Sequence, residues 1–358
     1  MERFGFVGLP NAGKSSLYNA LTGASALAAP YAFATVDPNV GVAKVPDVRL
    51  DQLAVMSKSK SIVHASVQFT DIGGLVEGAH KGEGLGNRFL GGIREVDAIV
   101  YVLRAFADDD VPGPTDPLDA LGVLEIELAM GDIDSAEKQL DKRKRMAKAG
   151  DKAVVDEVEA LEAAVASLQR GVPVYRSALT VAQRELLKPM FLLSNKPVLA
   201  VVNIGEDQLG DVDAIVAPVK AELHTEDVVG ACIQLEAEAS QLSDDDRAEM
   251  LEGLGLGEGA LPRFIRAAYQ VLGLRTYFTT GEKESRAWTF RSGAKAPECA
   301  GVIHTDFQRG FIRAETIQWQ ELLTLGSWSA AKDVGRIRSE GKDYVAQDGD
   351  VMEFRFNV

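Results

Sequence analysis

The stretch with the clearest chemistry begins at Gly8 and reads GLPNAGKSS. It satisfies the phosphate-binding pattern G-x-x-x-x-G-K-[ST] with Gly8, Gly13, Lys14 and Ser15. Glycines let successive backbone N–H groups turn toward phosphate oxygens, and the positive end of a following helix adds to that field. Lys14 is expected to reach the β- and γ-phosphates, and the Ser15 hydroxyl to bind Mg²⁺. The stretch predicts a nucleotide-phosphate site without indicating which base is bound.

Two elements must flank such a loop. Residues 3–7 read as a short apolar strand, and residues 14–21 read as a helix that stops at Gly23. Strand, glycine loop and helix form the context that this motif requires. The predicted phosphate-binding residues are Asn11, Ala12, Gly13, Lys14, Ser15 and Ser16.

A threonine in the next loop could complete the metal site. Thr35 lies within ATVDPNVGV, where a switch loop would close over Mg²⁺ and the γ-phosphate. We therefore assign Thr35 as the second protein ligand of Mg²⁺, beside Ser15.

A strand at 66–71 ends in the D-x-x-G pattern, DIGG. Asp71 is expected to hold Mg²⁺ through a water, and the Gly74 N–H to meet the γ-phosphate. With Lys14, these are the predicted catalytic residues. Leu75 follows, at the position where Ras-like enzymes often carry the glutamine that orients the attacking water. Leucine cannot do this, and His80 in the glycine-rich loop beyond is interpreted as a solvated loop residue.

The whole chain sets limits on the class of protein. With 358 residues we expect two or three domains. No run of eighteen apolar residues occurs and the first strand begins at once, so we expect no membrane partner and no signal peptide.

Cys232 and Cys299 suit a reducing compartment and are expected to be buried or inert. The net charge of −15 argues against non-specific nucleic-acid coating, and we expect no sequence-specific DNA partner.

A helical hairpin is predicted from position 117 onward. The heptad series Val154, Val158, Leu161, Val165 and Leu168 marks its second helix. A less regular matching face is predicted upstream at Ile126, Met130, Ile133 and Leu140. The basic run KRKR at 142–145 between the helices is either a solvated turn or a nucleic-acid contact.

The α/β pattern resumes at the buried strand 197–203, so the hairpin is an insertion. Beyond residue 274 the chain becomes strand-rich and carries twelve basic and twelve acidic residues beside an acidic body. Strands are predicted at 275–280, 286–290, 311–316, 343–346 and 351–356. The predicted domains are a nucleotide-binding domain at 1–274, a helical insertion within it at 117–190, and a C-terminal α+β domain at 275–358.

These stretches, together with IREVDAIVYVLRAF, the NIGE tetrapeptide and EGKDYVAQDGDVMEFRFNV, resemble the YchF family of Obg-like P-loop ATPases along essentially the whole chain. The resemblance implies an α/β fold in which a Ras-like P-loop NTPase domain carries an inserted α-helical hairpin and a C-terminal β-grasp (TGS) domain. It also implies ATP hydrolysis with Mg²⁺, cytoplasmic location and association with ribosomes. The family often has a histidine after an acidic triplet, but here Asp108-Asp109-Asp110 is followed by VPGP. Any role of that histidine does not transfer.

The tetrapeptide at 203–206 bears on the choice of base. Guanine-specific Ras-like enzymes use N-K-x-D there, and the aspartate accepts two hydrogen bonds from guanine. Here the lysine is replaced by Ile204 and the acid is the longer Glu206, so we predict that Asn203 and Glu206 contact the base and that ATP is preferred.

Two alternatives stay open: a GTPase of the same fold, and a non-hydrolysing nucleotide-gated binding module, which Leu75 favours. Asn11 resembles the asparagine that binds K⁺ in some related NTPases, so K⁺ is a candidate second ion.

Overall fold

The computed structural model describes residues 2–23, 40–72, 85–108, 110–148 and 150–357, with side chains throughout except at 85–88. Four residues of the sequence analysis, Thr35, Gly74, Leu75 and His80, lie outside these ranges, and their roles stay predictions. The chain forms two compact units, one of Met1–Ala43 with Gln68–Phe264 and the other of Lys44–Val67 with Ile265–Val358.

The described strands are, in chain order, β1 (Arg3–Val7), β2 (Val40–Lys44), β3 (Ile62–Val63), β4 (Ser66–Asp71), β5 (Ala98–Arg104), β6 (Val198–Asn203), β7 (Val228–Ala231), β8 (Leu274–Thr280), β9 (Ser285–Arg291), β10 (Phe311–Gln318), β11 (Arg338–Glu340) and β12 (Asp350–Phe356). The described α-helices are α1 (Lys14–Gly23), α2 (Val48–Ser57), α3 (Leu85–Glu95), α4 (Pro117–Ala147), α5 (Lys152–Leu168), α6 (Val181–Leu187), α7 (Val212–Leu223), α8 (Ile233–Ala239), α9 (Asp244–Gly253), α10 (Ala260–Val271), α11 (Ala296–Ile303), α12 (Thr305–Arg309), α13 (Trp319–Leu325) and α14 (Trp328–Asp333). None of these helices is long and apolar enough to cross a membrane.

The first unit is built on a sheet with strand order β2-β4-β1-β5-β6-β7. Along the series β4, β1, β5, β6 and β7, each strand runs parallel to the next. Every residue of β5 and β6 is buried, as expected for central strands covered on both faces. Because parallel strands end at one edge of a sheet, the loops after β1, β4, β5 and β6 meet there.

The hairpin consists of α4 and α5, and the ion pairs and hydrogen bond between the two helices show that they run antiparallel. Arg143 pairs with Glu157, Lys144 pairs with Glu162, and Gln169 bonds to Glu137. The heptad series on α5 is confirmed at Leu161, Val165 and Leu168, which are buried, whereas Val154 and Val158 near the tip are half-buried.

The predicted matching face on α4 is wrong at two positions. Ile126 and Met130 are 49% and 44% exposed. The buried apolar positions of α4 are instead Ala120, Leu121, Leu124, Leu128, Ala129 and Ala136. The face turns along the helix because its first half packs in the core of the sheet, whereas its second half packs against α5.

The C-terminal unit has a second sheet, with order β11-β10-β12-β8-β9-β3. The C-terminal unit also includes residues 44–67. Within this segment, β3 pairs with β9, and the Arg49 side chain on α2 donates a hydrogen bond to the Asp348 carboxylate at 2.6 Å. The buried side chains of this unit include Tyr277, Phe290, Cys299, Phe311 and Met352. Where the nucleotide-binding, insertion and C-terminal domains begin and end stays a prediction.

A strand at 343–346 was predicted wrongly. The fully buried carboxylate of Asp350 accepts hydrogen bonds from the Tyr344 hydroxyl at 2.7 Å and the Gln347 N–H at 2.8 Å. The chain therefore curls around this carboxylate instead of extending. The strand that pairs with β10 is β11, at Arg338–Glu340.

Candidate functional site

The loop between β1 and α1 requires its glycines. Gly13 has φ +100°, and a Cβ there would lie 2.5 Å from Asn203 Nδ2. A Cβ on Gly8 would lie 2.5 Å from the Val102 carbonyl oxygen. Asn11 adopts a left-handed conformation at φ 63°, which non-glycine residues seldom do and which is often found at functional sites. The local backbone thus has the tight curl that a phosphate-binding loop needs.

Lys14 lies inside this loop. Its side chain extends back over the loop, where Nζ donates to the Leu9 carbonyl at 2.8 Å, and the residue is 7% exposed. Burial lowers the pKa of the Lys14 ammonium, and the nearby negative charge of Asp71 opposes this shift. The ammonium is therefore short of compensating negative charge, which phosphate oxygens would supply.

Ser15 and Asp71 are brought together across the sheet edge. The Ser15 hydroxyl donates to Asp71 Oδ2 at 2.7 Å. Ser15 lies at the start of α1, and Asp71 is the last residue of β4. A hydroxyl and a carboxylate are hard oxygen donors of the kind Mg²⁺ prefers, so this pair fits that ion. Among the described residues there is no cluster of three or more His, Cys, Asp or Glu side chains that could hold a metal by itself.

Asn203 ends β6, and its side chain is 6% exposed. Its Nδ2 donates to the Ala12 carbonyl at 3.1 Å, and its Oδ1 accepts from the Ile233 N–H at 3.2 Å. The side chain thus ties the phosphate loop to the start of α8. These contacts are made within the protein, and the predicted contact of Asn203 with the base stays a prediction.

A cavity of about 960 Å³ connects these groups. Its phosphate end is lined by Asn11, Gly13, Lys14, Ser15 and Ser16. Its other end is lined by Asn203, Ile204, Gly205, Glu206, Phe106, Cys232, Ile233 and Gln234. Five of the six predicted phosphate-binding residues and both predicted base-reading residues therefore open into one cavity, whereas Ala12 is buried and does not line it.

Several lining residues were missed by sequence reasoning. Asp108 and Val111 come from the loop after β5, and Gln234, Ala237, Glu238 and Gln241 share one face of α8 and the turn after it. Their spacing of three, one and three residues is a helical signal that could have been read from the sequence. Phe106 had no such local signal. Cys232 and Cys299 are both free and buried, as expected, although Cys232 contributes to the cavity wall.

The loop after β5, residues 105–112, is held by a buried arginine. Arg104 is 3% exposed, and its guanidinium donates to the carbonyls of Phe106 at 3.0 Å and Val111 at 2.8 Å. Asn11 of the phosphate loop donates from Nδ2 to the Pro112 carbonyl at 3.2 Å. The described parts of this loop, residues 105–108 and 110–112, are thereby fixed at the edge of the cavity.

The sheet, the phosphate loop and the paired Ser15 and Asp71 define a P-loop nucleoside-triphosphate hydrolase. "Ribosome-binding ATPase YchF" of Bacillus subtilis (strain 168) is 46% identical over 361 residues, covering 99% of each chain, and the Haemophilus influenzae protein of that name is 45% identical over 363 residues with the same coverage. The chain belongs to the YchF family.

Family models and a solved structure agree with this membership. A YchF C-terminal model, described as a protein of unknown function, matches residues 274–357, and a model described as a 50S ribosome-binding GTPase matches residues 3–203. The structure of the Schizosaccharomyces pombe YchF GTPase has a TM-score of 0.85 and 33% identity, covering 99% of this chain and 97% of that one. The fold is thus a Ras-like P-loop domain followed by a C-terminal β-sheet domain.

Proposed function

We propose that this protein is a Mg²⁺-dependent, ATP-hydrolysing switch that acts in the cytoplasm and associates with ribosomes. The observation that carries the proposal is the single cavity in which a phosphate loop and the tetrapeptide 203–206 meet. The bacterial relatives that are named ribosome-binding ATPases support it.

At the phosphate end, each residue has a role that its contacts support. Lys14 would exchange the Leu9 carbonyl for phosphate oxygens, and the N–H groups of the loop would bind the rest. Ser15, with Thr35 as the predicted second ligand, would hold Mg²⁺, and Asp71 would orient its water. When bound, Mg²⁺ neutralises charge on the transferred phosphoryl group. A K⁺ ion at Asn11 is part of the same proposal.

At the base end, the side chains favour adenine. Ile204 is 2% exposed and packs in the core, so it leaves no cation along the base. Glu206 is exposed at the cavity, and its longer side chain would crowd a guanine that an aspartate could bind. A GTPase is the second candidate, because the solved relative is named a GTPase.

Titrations of ATP and GTP test this choice. We expect ATP to bind roughly tenfold to a hundredfold more tightly, the range given by losing a paired base contact of about 1–3 kcal/mol. The change Glu206→Asp should narrow that ratio, because aspartate shortens the acid and restores room for guanine. A lysine at 204 is unsuitable because it would place a charge in the core. Tighter GTP binding by the unaltered protein would establish the GTPase instead.

Hydrolysis itself is tested by phosphate release over many turnovers. A non-hydrolysing binding module would bind ATP and release no phosphate above a Lys14→Ala control.

The basic run at 142–145 lies within the last turns of α4, not between the helices as predicted. This helix end, with Lys148, is the hairpin tip and the proposed ribosome contact, and its charges are not equivalent. Arg143 and Lys144 are paired with Glu157 and Glu162 at 3.1 and 2.8 Å. Lys142, Arg145 and Lys148 are exposed, and no salt bridge joins them to any acidic residue that the structure describes. These three cations are available to phosphate groups of ribosomal RNA.

Charge reversal separates the two sets. Replacing Lys142, Arg145 and Lys148 with Glu should weaken ribosome co-sedimentation severalfold at low salt, with basal phosphate release unchanged. The difference from the unaltered protein should shrink as salt is raised, because the variant makes fewer phosphate contacts for salt to displace. Replacing Arg143 and Lys144 with Gln changes the net charge of the same turn while removing only paired cations, and should have a smaller effect. Equal sedimentation by the first variant and the unaltered protein across a salt series would identify the tip as a solvated turn.

A further inference from the structure

The base end of the cavity has two walls that come from different strands. Phe106 is in the loop after β5, and Gly205 and Glu206 are in the loop after β6. A Cβ placed on Gly205 would lie 3.4 Å from the Phe106 Cβ, so the two loops touch there. The space between the walls, where the base would lie, therefore depends on how the two loops are held together.

One side chain joins both loops. Gln208, in the 3₁₀ helix Glu206–Asp211, donates from Nε2 to the Ala105 carbonyl at 3.1 Å. Its Oε1 accepts from the Gly205 N–H at 2.8 Å. The amide thus binds the residue before Phe106 on one wall and the residue before Glu206 on the other. Gln208 does not itself line the cavity.

Phe106 is held independently from its other side. The Arg104 guanidinium lies 4.4 Å from the centre of the Phe106 ring and donates to the Phe106 carbonyl. Because Arg104 holds Phe106 in place, the wall that carries Phe106 cannot move together with Gly205. The two walls are also joined by the backbone, where the Ala105 N–H donates to the Asn203 carbonyl at 2.8 Å. The Gln208 amide extends this link to Gly205 and is a side-chain contact that holds Gly205 and Glu206 at a fixed distance from Phe106.

We infer that Gln208 is a positioning residue for base recognition: its amide fixes the two walls of the base end at the separation that accepts adenine. The inference rests on the proposed function, because it takes the bound nucleotide to be ATP. It concerns the base alone, since Lys14 and Ser15 at the phosphate end make their contacts elsewhere.

The test compares ATP, GTP and inorganic tripolyphosphate, each with Mg²⁺, on the full chain. In Gln208→Ala the affinity for ATP should fall roughly tenfold, the effect of losing two neutral hydrogen bonds. The ratio of ATP to GTP affinity should fall with it, and tripolyphosphate affinity should not change. Gln208→Glu, which keeps the size and the acceptor for Gly205 but places an oxygen against the Ala105 carbonyl, should show the same pattern. Because glutamate is the same size as glutamine, an affinity loss in that variant comes from the lost hydrogen bond and not from lost side-chain volume.

Gln169→Ala is the matched control, because it removes a glutamine amide that bonds Glu137 on the hairpin. It should leave all three affinities unchanged. The inference is overturned if the Gln208 variants lose affinity for tripolyphosphate by the same factor as for ATP, because Gln208 would then have a structural role in the whole site. It is also overturned if the variants bind ATP as tightly as the unaltered protein does. If the unaltered protein binds ATP no more tightly than tripolyphosphate, the proposed adenine site fails before Gln208 is considered.

Discussion

Replacing Lys14 with alanine is expected to lower ATP turnover by roughly a hundredfold to a thousandfold, the usual cost of losing a group aimed at developing charge. The same change should leave the unfolding midpoint equal or slightly higher. The reason is that burial lowers the pKa of Lys14, so the folded protein disfavours its charged form. That cost is present at pH values below the folded pKa and disappears as the pH rises past the unfolded pKa. Alanine removes the cost at neutral pH.

Lys196→Ala is the control, because Lys196 is a half-buried lysine that is also bonded to backbone carbonyls. Its Nζ donates to Val96 at 2.5 Å and Arg94 at 3.3 Å, and burial likewise lowers its pKa. It lies outside the cavity lining. We expect Lys196→Ala to retain turnover and to change the unfolding midpoint little, because the burial cost that alanine removes offsets the lost bonds that join α3 to the start of β6, as at Lys14. Loss of cooperative melting in Lys14→Ala, or normal turnover, would contradict the role given to Lys14.

Asn203→Asp, which replaces one amide nitrogen by an oxygen, is expected to lower both the free energy of unfolding and the affinity for ATP. Aspartate would place a carboxylate oxygen against the Ala12 carbonyl, where the Asn203 amide now donates at 3.1 Å. The carboxylate would keep the Ile233 N–H as a donor, but burying its charge without a cation should lower the free energy of unfolding by about 3 kcal/mol. ATP affinity should fall at least tenfold, because the phosphate loop loses this bond and gains a nearby negative charge. Calorimetry and nucleotide titration measure the two effects.

The pH dependence gives this prediction a signature. Burial should raise the pKa of the carboxyl group that Asn203→Asp introduces above its unfolded value, so the loss of stability is full at high pH and shrinks as the pH falls toward about 5. Asn19→Asp, on the exposed side of α1, is the control for the added charge and should change neither property appreciably. A stability deficit that is independent of pH would contradict burial of the new carboxylate.

The parts of the site that could be predicted are those encoded by local sequence. The phosphate loop reads directly from nine consecutive residues, and the structure gives it the expected strand, turn and helix. The meeting of Ser15 with Asp71 followed from a general rule, because residues that end parallel strands share one sheet edge.

The parts that could not be predicted depend on contacts between distant segments. Phe106 and Gln208 meet only because β5 and β6 are neighbours, and nothing near either residue signals it. Ile126 and Met130 follow a helical period, yet the face that is buried depends on which partner α4 meets at each point. Residues 343–346 were predicted as a strand, and the buried Asp350 carboxylate overrides that local preference.

Residues 44–67 belong to the C-terminal unit although they precede most of the chain, and this constrains how the protein can be made. On α2 the side chains of Leu50, Leu53 and Ala54 are buried in that unit. During synthesis this helix must wait for more than 200 residues before β8 and β9 emerge to cover it. Contacts so distant in sequence form slowly and leave apolar surface exposed meanwhile. A shortened chain that stops before β8 would leave the same helix permanently uncovered, so removing the C-terminal segment is expected to yield an aggregating protein rather than an isolated nucleotide-binding domain.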